Sequence, residues 1–227
     1  LAMLLGIDAS RFGHEYATCV EMYSFHIIRA ILRTIAADPK CGIDKVVLYT
    51  PREISSQELE GDFAFCRQRI LAPGRLWTQW KLSWETTRNP PDVLFVPSHT
   101  LPIIHPKKSI VMIHDVAFRR FRKAYNFFQY AYLQFSTWLA VRYAWKILVP
   151  SSATRDDLVS FFGCKKEKIE VVPHGFSPLA SPPADDQKIL EQFSLISGDR
   201  YFLFVGRLEE KKNLVRLVRA FAKFREH

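Results

Sequence analysis

The sequence predicts an α/β fold built on an open, mostly parallel sheet, and three observations carry that prediction. Apolar runs of strand length recur along the chain, each bounded by turn residues. The runs are continuous and rich in Val, Ile and Leu, with no alternation, which is the pattern of strands covered on both faces. Segments with helical spacing lie between them, so strand and helix alternate as in a doubly wound sheet.

The elements follow in order. MLLGID (3–8) reads as the first strand. Residues 18–36 carry Val20, Ile27, Ile28, Ile31 and Ile35 at helical spacing. KVVLYT (45–50) is the second strand, and DFAFCRQRIL (62–71), which periodicity leaves ambiguous, is assigned to a strand. Residues 75–87 read as a helix, followed by the strands VLFVP (93–97) and SIVMIHD (109–115). Helices are expected over 124–145 and 152–162, separated by the strand KILVPS (146–151). IEVVPHG (169–175) closes a first domain, residues 1–175.

FSPLASPPADDQ (176–187) contains Pro178, Pro182 and Pro183 and little apolar content, which reads as an interdomain linker. With a short helix around Asp185–Phe193, this linker region is expected to span 176–194. YFLFVG (201–206) then reads as the opening strand of a second domain, 195–227, with a helix running to the last residue. The expectation is a second domain that is truncated.

Composition narrows the function classes. Of 227 residues, 48% are hydrophobic and 24% charged, as in an ordinary globular chain. A net charge of +9 suits phosphorylated substrates, an anionic membrane surface or nucleic acid, and equally a basic surface kept for solubility. No nucleic-acid motif accompanies the charge, so no nucleic-acid partner is expected. Cys19, Cys41, Cys66 and Cys164 form no C-x-x-C pair and no zinc spacing, which fits a reducing cytoplasm. LAMLLGIDAS is apolar but lacks a basic leader and a cleavage pattern, so it reads as a buried strand. No run approaches the ~20 apolar residues that span a bilayer.

In doubly wound sheets, ligands sit at the carboxyl ends of the strands. Asp8, Ser10, His99, His114, Asp115, Ser151, His174, Gly175 and Arg207 all follow predicted strands closely. VGRLEEKKNL places Arg207 and Lys212 between a strand and a helix N-terminus, an arrangement suited to a diphosphate. The same spacing also fits two surface residues of a solvated loop. His114 can hydrogen-bond a sugar hydroxyl or phosphate or shuttle a proton, or it can be a structural histidine with Asp115 capping a turn. The loop containing Gly13 and Thr18 can bring backbone N–H groups to a ligand, or simply connect.

FRRFRKAYNFFQYAYLQFSTWLAVRY (118–143) sets Arg119, Arg120, Arg122 and Lys123 beside a helix crowded with aromatic rings. That suits a membrane interface, a nucleic acid, or a core helix packed on the sheet. No D-x-D, G-x-S-x-G or H-E-x-x-H occurs, so no metal ligands are assigned.

Taken in order, GIDASRFG…TCVEMY, PPDVLFVPSHTLP, VMIHDVAFRRF, ILVPSSATRDDLVSFFG, KIEVVPHGF and YFLFVGRLEEKKNLVRLVRAFAKF resemble glycosyltransferase family 4. The resemblance spans nearly the whole chain. It implies the GT-B fold, two Rossmann-like domains with the acceptor mainly on the first and the donor mainly on the second. It implies retaining transfer from a nucleotide-sugar donor to a glycan or lipid-linked acceptor, without metal or other cofactor. His114 matches the histidine at the reaction centre. Arg207 and Lys212 match the basic pair on the donor diphosphate, and Gly13 to Thr18 match the loop that closes on the donor. Gly175 is grouped with the donor-binding residues, while His99 and Asp115 are acceptor-side candidates.

The resulting expectation is envelope polysaccharide or glycolipid synthesis, including mannosyl transfer, in the cytoplasm or peripherally at the inner face of the membrane. The competing expectation is a non-catalytic glycan- or membrane-binding remnant. Two departures stand out. Cys19 occupies a position where the family usually has glycine. The later donor-site residues of the second domain have no counterpart, so the chain alone is expected to be inactive.

Overall fold

The computed structural model describes residues 3–13, 18–38, 40–74, 76–176, 186–194, 196 and 200–226. The chain divides into two compact units, Leu1–His174 and Gly175–His227.

In the first unit, seven strands form one sheet: β1 (Met3–Asp8), β2 (Ile43–Thr50), β3 (Cys66–Ile70), β4 (Val93–Val96), β5 (Ser109–Met112), β6 (Lys146–Val149) and β7 (Ile169–Val171). The spatial order is β3-β2-β1-β4-β5-β6-β7, and every neighbouring pair is parallel. The chain winds from β1 to the β3 edge, then crosses back to β4 and winds the other way. The reversal lies between β1 and β4, the place where such sheets open a crevice at their strand ends. The ambiguous run 62–71 does supply a strand, β3.

The helices are α1 (Cys19–Ala37), α2 (Ser56–Leu59), α3 (Ser83–Arg88), α4 (Ala117–Arg120), α5 (Phe127–Tyr143) and α6 (Ser152–Phe162). Immediately before α3, Thr78–Leu82 winds more widely as a π-helix. The caps explain several boundaries. Thr18 donates its N–H to Glu21 Oε2 at 2.7 Å before α1. Asn126 Oδ1 accepts from Gln129 N–H at 2.9 Å before α5. Ser151 Oγ accepts from Thr154 N–H at 3.2 Å before α6, which stops at Gly163 with φ +63°.

Alternation along the strands assigns side chains to two apolar layers. Ile7, Leu48 and Phe95 pack with Ile28, Leu32 and Ile35 of α1. Val96, Val111 and Ile147 pack with Leu82, Leu139 of α5 and Leu158 of α6. Adjacent residues such as Phe95 and Val96 enter opposite layers, so both faces of the sheet are covered, as the continuous apolar runs required.

The strands end earlier than the sequence suggested. β5 stops at Met112 and β7 at Val171, leaving His114, Asp115 and His174 in the loops beyond.

The second unit contains α7 (Asp186–Gln192), a 3-10 turn at Glu210–Lys212 and α8 (Leu214–Arg225). The expected strand 201–206 is not formed. A strand needs a ladder partner for its backbone N–H and C=O groups, and the described residues of this unit include no second extended segment to supply one. Phe202 packs instead on Phe221 and Phe224 of α8, at ring separations of 5.4 and 5.9 Å. The linker reading falls mostly on 177–185, outside the described residues.

Candidate functional site

The carboxyl ends of β4, β5 and β7 and helix α1 bring four rings together in the first unit. His114, just past β5, stacks on His174 at 5.3 Å and lies 5.6 Å from His99. Tyr23, on the buried side of α1, meets His114 and His174 edge-on at 4.9 and 4.8 Å.

His114 Nε2–H donates to the Pro97 carbonyl oxygen at 3.1 Å. That bond fixes the tautomer, leaving Nδ1 as an acceptor. Burial, helped by the neighbouring His99 and His174, pushes the His114 pKa down to about 4 against the opposing Pro97 bond. The ring is therefore neutral at pH 7.

His99 is tied down in the same way: its Nε2–H donates to the Asp115 carbonyl oxygen at 2.8 Å, and burial lowers its pKa. The carboxylate of Asp115 accepts from Ala117 N–H at 3.0 Å and caps the turn into α4. Asp115 thus serves the site through its backbone oxygen as well as its position, and its side chain does the capping job open to it from sequence.

Two further buried groups lie at this end: Tyr23, which sequence reasoning did not mark, and Asp8, which it placed after the first strand. Tyr23 Oη is buried with no hydrogen-bond partner, and burial raises its pKa to about 12. A tyrosine among apolar helix positions looks like core, and nothing local signals an orphaned hydroxyl. Asp8, at the end of β1 and 1% exposed, accepts from Ser10 N–H with Oδ1 at 2.9 Å, while Oδ2 has no partner. Burial raises its pKa above the usual carboxylate value.

A cavity of about 580 Å³ opens beside this cluster, lined among others by Arg11, Thr18, Trp77, Gln79, His99 and Tyr132. Its size falls within the range of small-ligand sites. His99 belongs to both the cavity wall and the ring cluster, so it links Thr18 to His114 and Asp115. The π-helical stretch 78–82 forms part of the wall, a deviation that recurs at functional sites.

Gly13 has φ +55°, and its carbonyl oxygen accepts from Arg52 Nη2 at 3.1 Å. Residues 14–17 of that loop lie outside the described residues. Cys19 is the first residue of α1 and is exposed, so its side chain belongs to the helix. At Gly175, an added Cβ meets nothing within 4 Å, so no close backbone approach demands glycine there.

Arg207 and Lys212 belong to the second unit. Arg207 is 74% exposed at its side chain and pairs with Glu209 at 2.5 Å. Lys212 ends the 3-10 turn, and Asn213 at φ +54° leads into α8. Both cations thus precede a helix N-terminus, a setting that favours anions. Among the described residues, no group of three or more His, Cys, Asp or Glu side chains could hold a metal ion.

A family model described as Glycosyltransferase Family 4 matches residues 41–178, more than half of the chain. A comparison with curated proteins gives no match.

Proposed function

The chain belongs to glycosyltransferase family 4, and on that premise we propose that it serves retaining transfer of a sugar from a nucleotide-sugar donor to a glycan or lipid-linked acceptor. The proposal includes mannosyl transfer in envelope polysaccharide or glycolipid synthesis, in the cytoplasm with peripheral contact to an anionic membrane surface. No metal or cofactor is assigned a role.

The observation that carries this reading is the neutral His114 ring, fixed by Pro97 at the carboxyl end of β5. With Nε2–H already used, Nδ1 accepts from a sugar hydroxyl and orients the ring being transferred. A side chain with a pKa near 4 acts here as a positioning acceptor more readily than as a base. In this reading, His99 and Asp115 stand on the acceptor side, next to the cavity. Gly13, Thr18 and Gly175 contribute to donor binding. Arg207 and Lys212 contact the donor diphosphate and stabilise the charge that builds as it departs.

The test is a transfer assay with nucleotide-sugar donors, run on the full-length gene product because the chain alone is expected to be inactive. His114→Phe keeps the ring contacts to Tyr23 and His174 but removes both nitrogens. Transfer is expected to fall about a hundredfold, while loss of the bond to the Pro97 oxygen lowers stability by only about 1 kcal/mol. Arg207→Ala and Lys212→Ala should each weaken donor affinity about tenfold. A His114→Phe variant working at the wild-type rate defeats the central assignment. Unchanged donor affinity in both cation variants defeats the donor assignment.

A further inference from the structure

Helix α5 inverts the usual arrangement of a surface helix. Its buried positions include the polar Ser136 and Thr137 beside Leu139 and Ala140. Its outward stripe carries Phe128, 82% exposed, Phe135, 47%, and Trp138, 46%, and Trp145, 50%, continues it just past the helix end. Spacings of seven and three residues keep Phe128, Phe135 and Trp138 on one face of the helix. Phe135 stacks on Trp138 at 6.1 Å, and Trp138 meets Tyr143 edge-on at 6.0 Å, so the rings at the carboxyl end of the helix form one cluster. From Phe128 to Trp138 this helical stripe is about 15 Å long.

The stripe does not stand alone. Ile103 N–H donates to Gln79 Oε1 at 2.9 Å, and Gln79 Nε2 donates to the Leu101 oxygen at 3.1 Å. The same loop is held to α5, where Ser136 Oγ donates to the His99 oxygen at 3.1 Å. The loop thus stitches the 78–88 helical segment beside α5. That segment exposes Trp80 and Trp84, one turn apart.

Charge selects what such a face meets. Between Asp92 and Asp156 the only acidic residue is Asp115, against nine Lys and Arg. Lys123 is exposed just before α5 and Arg142 in its last turn. Lys107 and Lys108 are exposed just before β5, whose Ser109 oxygen accepts from Trp145 N–H at 2.8 Å. Cations therefore flank both ends of the aromatic stripe. A second copy of the chain would bring like charges together across a twofold. An anionic bilayer matches the pattern, with rings at the headgroup boundary and cations on phosphates.

We infer that the outer face of α5 docks flat on an anionic lipid bilayer, with Phe128, Phe135 and Trp138 in the interface and Lys123 and Arg142 on lipid phosphates. This gives a surface to the peripheral-membrane part of the functional reading, on which it rests for its biological setting. Among the described residues no helix is long and apolar enough to cross a membrane, so the contact is interfacial.

The test is co-sedimentation of the 227-residue chain with vesicles, without donor or acceptor. The vesicles are phosphatidylcholine alone, or with about one third phosphatidylglycerol. The chain is expected to pellet with the anionic vesicles and to be released by salt. Phe135→Ser/Trp138→Ser should lower partitioning at least about tenfold, and Lys123→Glu about fivefold. Helix α8 of the second unit also exposes apolar and basic side chains, and the α5 variants separate the two contributions. Equal partitioning of the double variant and wild type overturns the inference, as does equal binding to neutral vesicles. So does a dimer that the double variant dissociates when no vesicles bind. Should the double variant misfold, brominated lipids decide on the wild type: quenching of tryptophan fluorescence supports the inference, and its absence overturns it. Donor binding measured without lipid tests the transferase reading separately, so either can fail while the other stands.

Discussion

The imidazole of His114 and the backbone of Pro97 are joined by a 3.1 Å hydrogen bond in which Nε2–H donates to the carbonyl oxygen. The ring pays for its burial in basicity, with a pKa of about 4 against an ordinary 6.5. Between those values the unfolded chain binds a proton that the folded protein does not. Stability is therefore complete above pH 6.5 and falls as pH drops toward 4. At pH 5 the loss from this residue amounts to about 2 kcal/mol. His99 is shifted in the same direction. Urea midpoints measured from about pH 7 to 5 should fall in the wild type and fall less in His114→Phe. Identical slopes in the two proteins contradict the assignment.

Gly13 tests the first loop. Its φ of +55° strains any residue with a Cβ, although the nearest atoms to an added Cβ, at 3.6 Å, leave room. Gly13→Ala should therefore cost about 1 kcal/mol from conformation alone. The carbonyl is latched by Arg52 Nη2, which also pairs with Glu58 Oε1 at 2.6 Å. The Arg52 bond leads the causes that lower the Glu58 pKa to about 2, so the latch survives mild acid. Arg52→Ala should weaken donor binding several-fold, and a titration showing wild-type affinity would remove this loop from the site.

Much of the first unit is legible in the sequence because its strands are buried on both faces. SIVMIHD shows a continuous apolar run and then a polar pair, which locates β5 and the polar residues at its carboxyl end together. The cluster around His114 is less legible because its members come from distant segments. Tyr23 meets His174 through the fold alone. The stripe on α5 is open to three readings in the sequence because apolar residues circle the helix, and only packing reveals that Ser136 and Thr137 face inward. YFLFVG has strand composition, but composition supplies propensity and a neighbour supplies the ladder.

Gly6 tests the packing of β1. A Cβ built there lies 2.8 Å from both Pro91 Cγ and Tyr49 Cε2. Tyr49 is 2% exposed, so its ring cannot swing into solvent. Gly6→Ala must displace a proline ring or a buried tyrosine, an overpacking cost of about 1–3 kcal/mol. Chemical denaturation reads it directly, and an unchanged midpoint would mean that this corner of the core yields more readily than its close packing implies.

Hydrogen exchange distinguishes the two units internally. Ile110 and Val111 of β5 are paired on both sides, with Phe95 and Val96 of β4 and with Lys146 and Ile147 of β6. Their amides open only with the sheet, so protection of about a thousandfold or more is expected. Tyr201 to Val205 form no strand, and Phe202, Leu203 and Val205 are largely exposed. Among the described residues, packing such as that of Phe202 on α8 holds the segment, so its amides should exchange with less than about tenfold protection. Deuterium uptake by mass spectrometry resolves peptides from both regions in one experiment. Protection of 201–205 equal to that of 110–111 would mean that the segment is paired in a strand after all, and that the second unit supplies it a ladder partner.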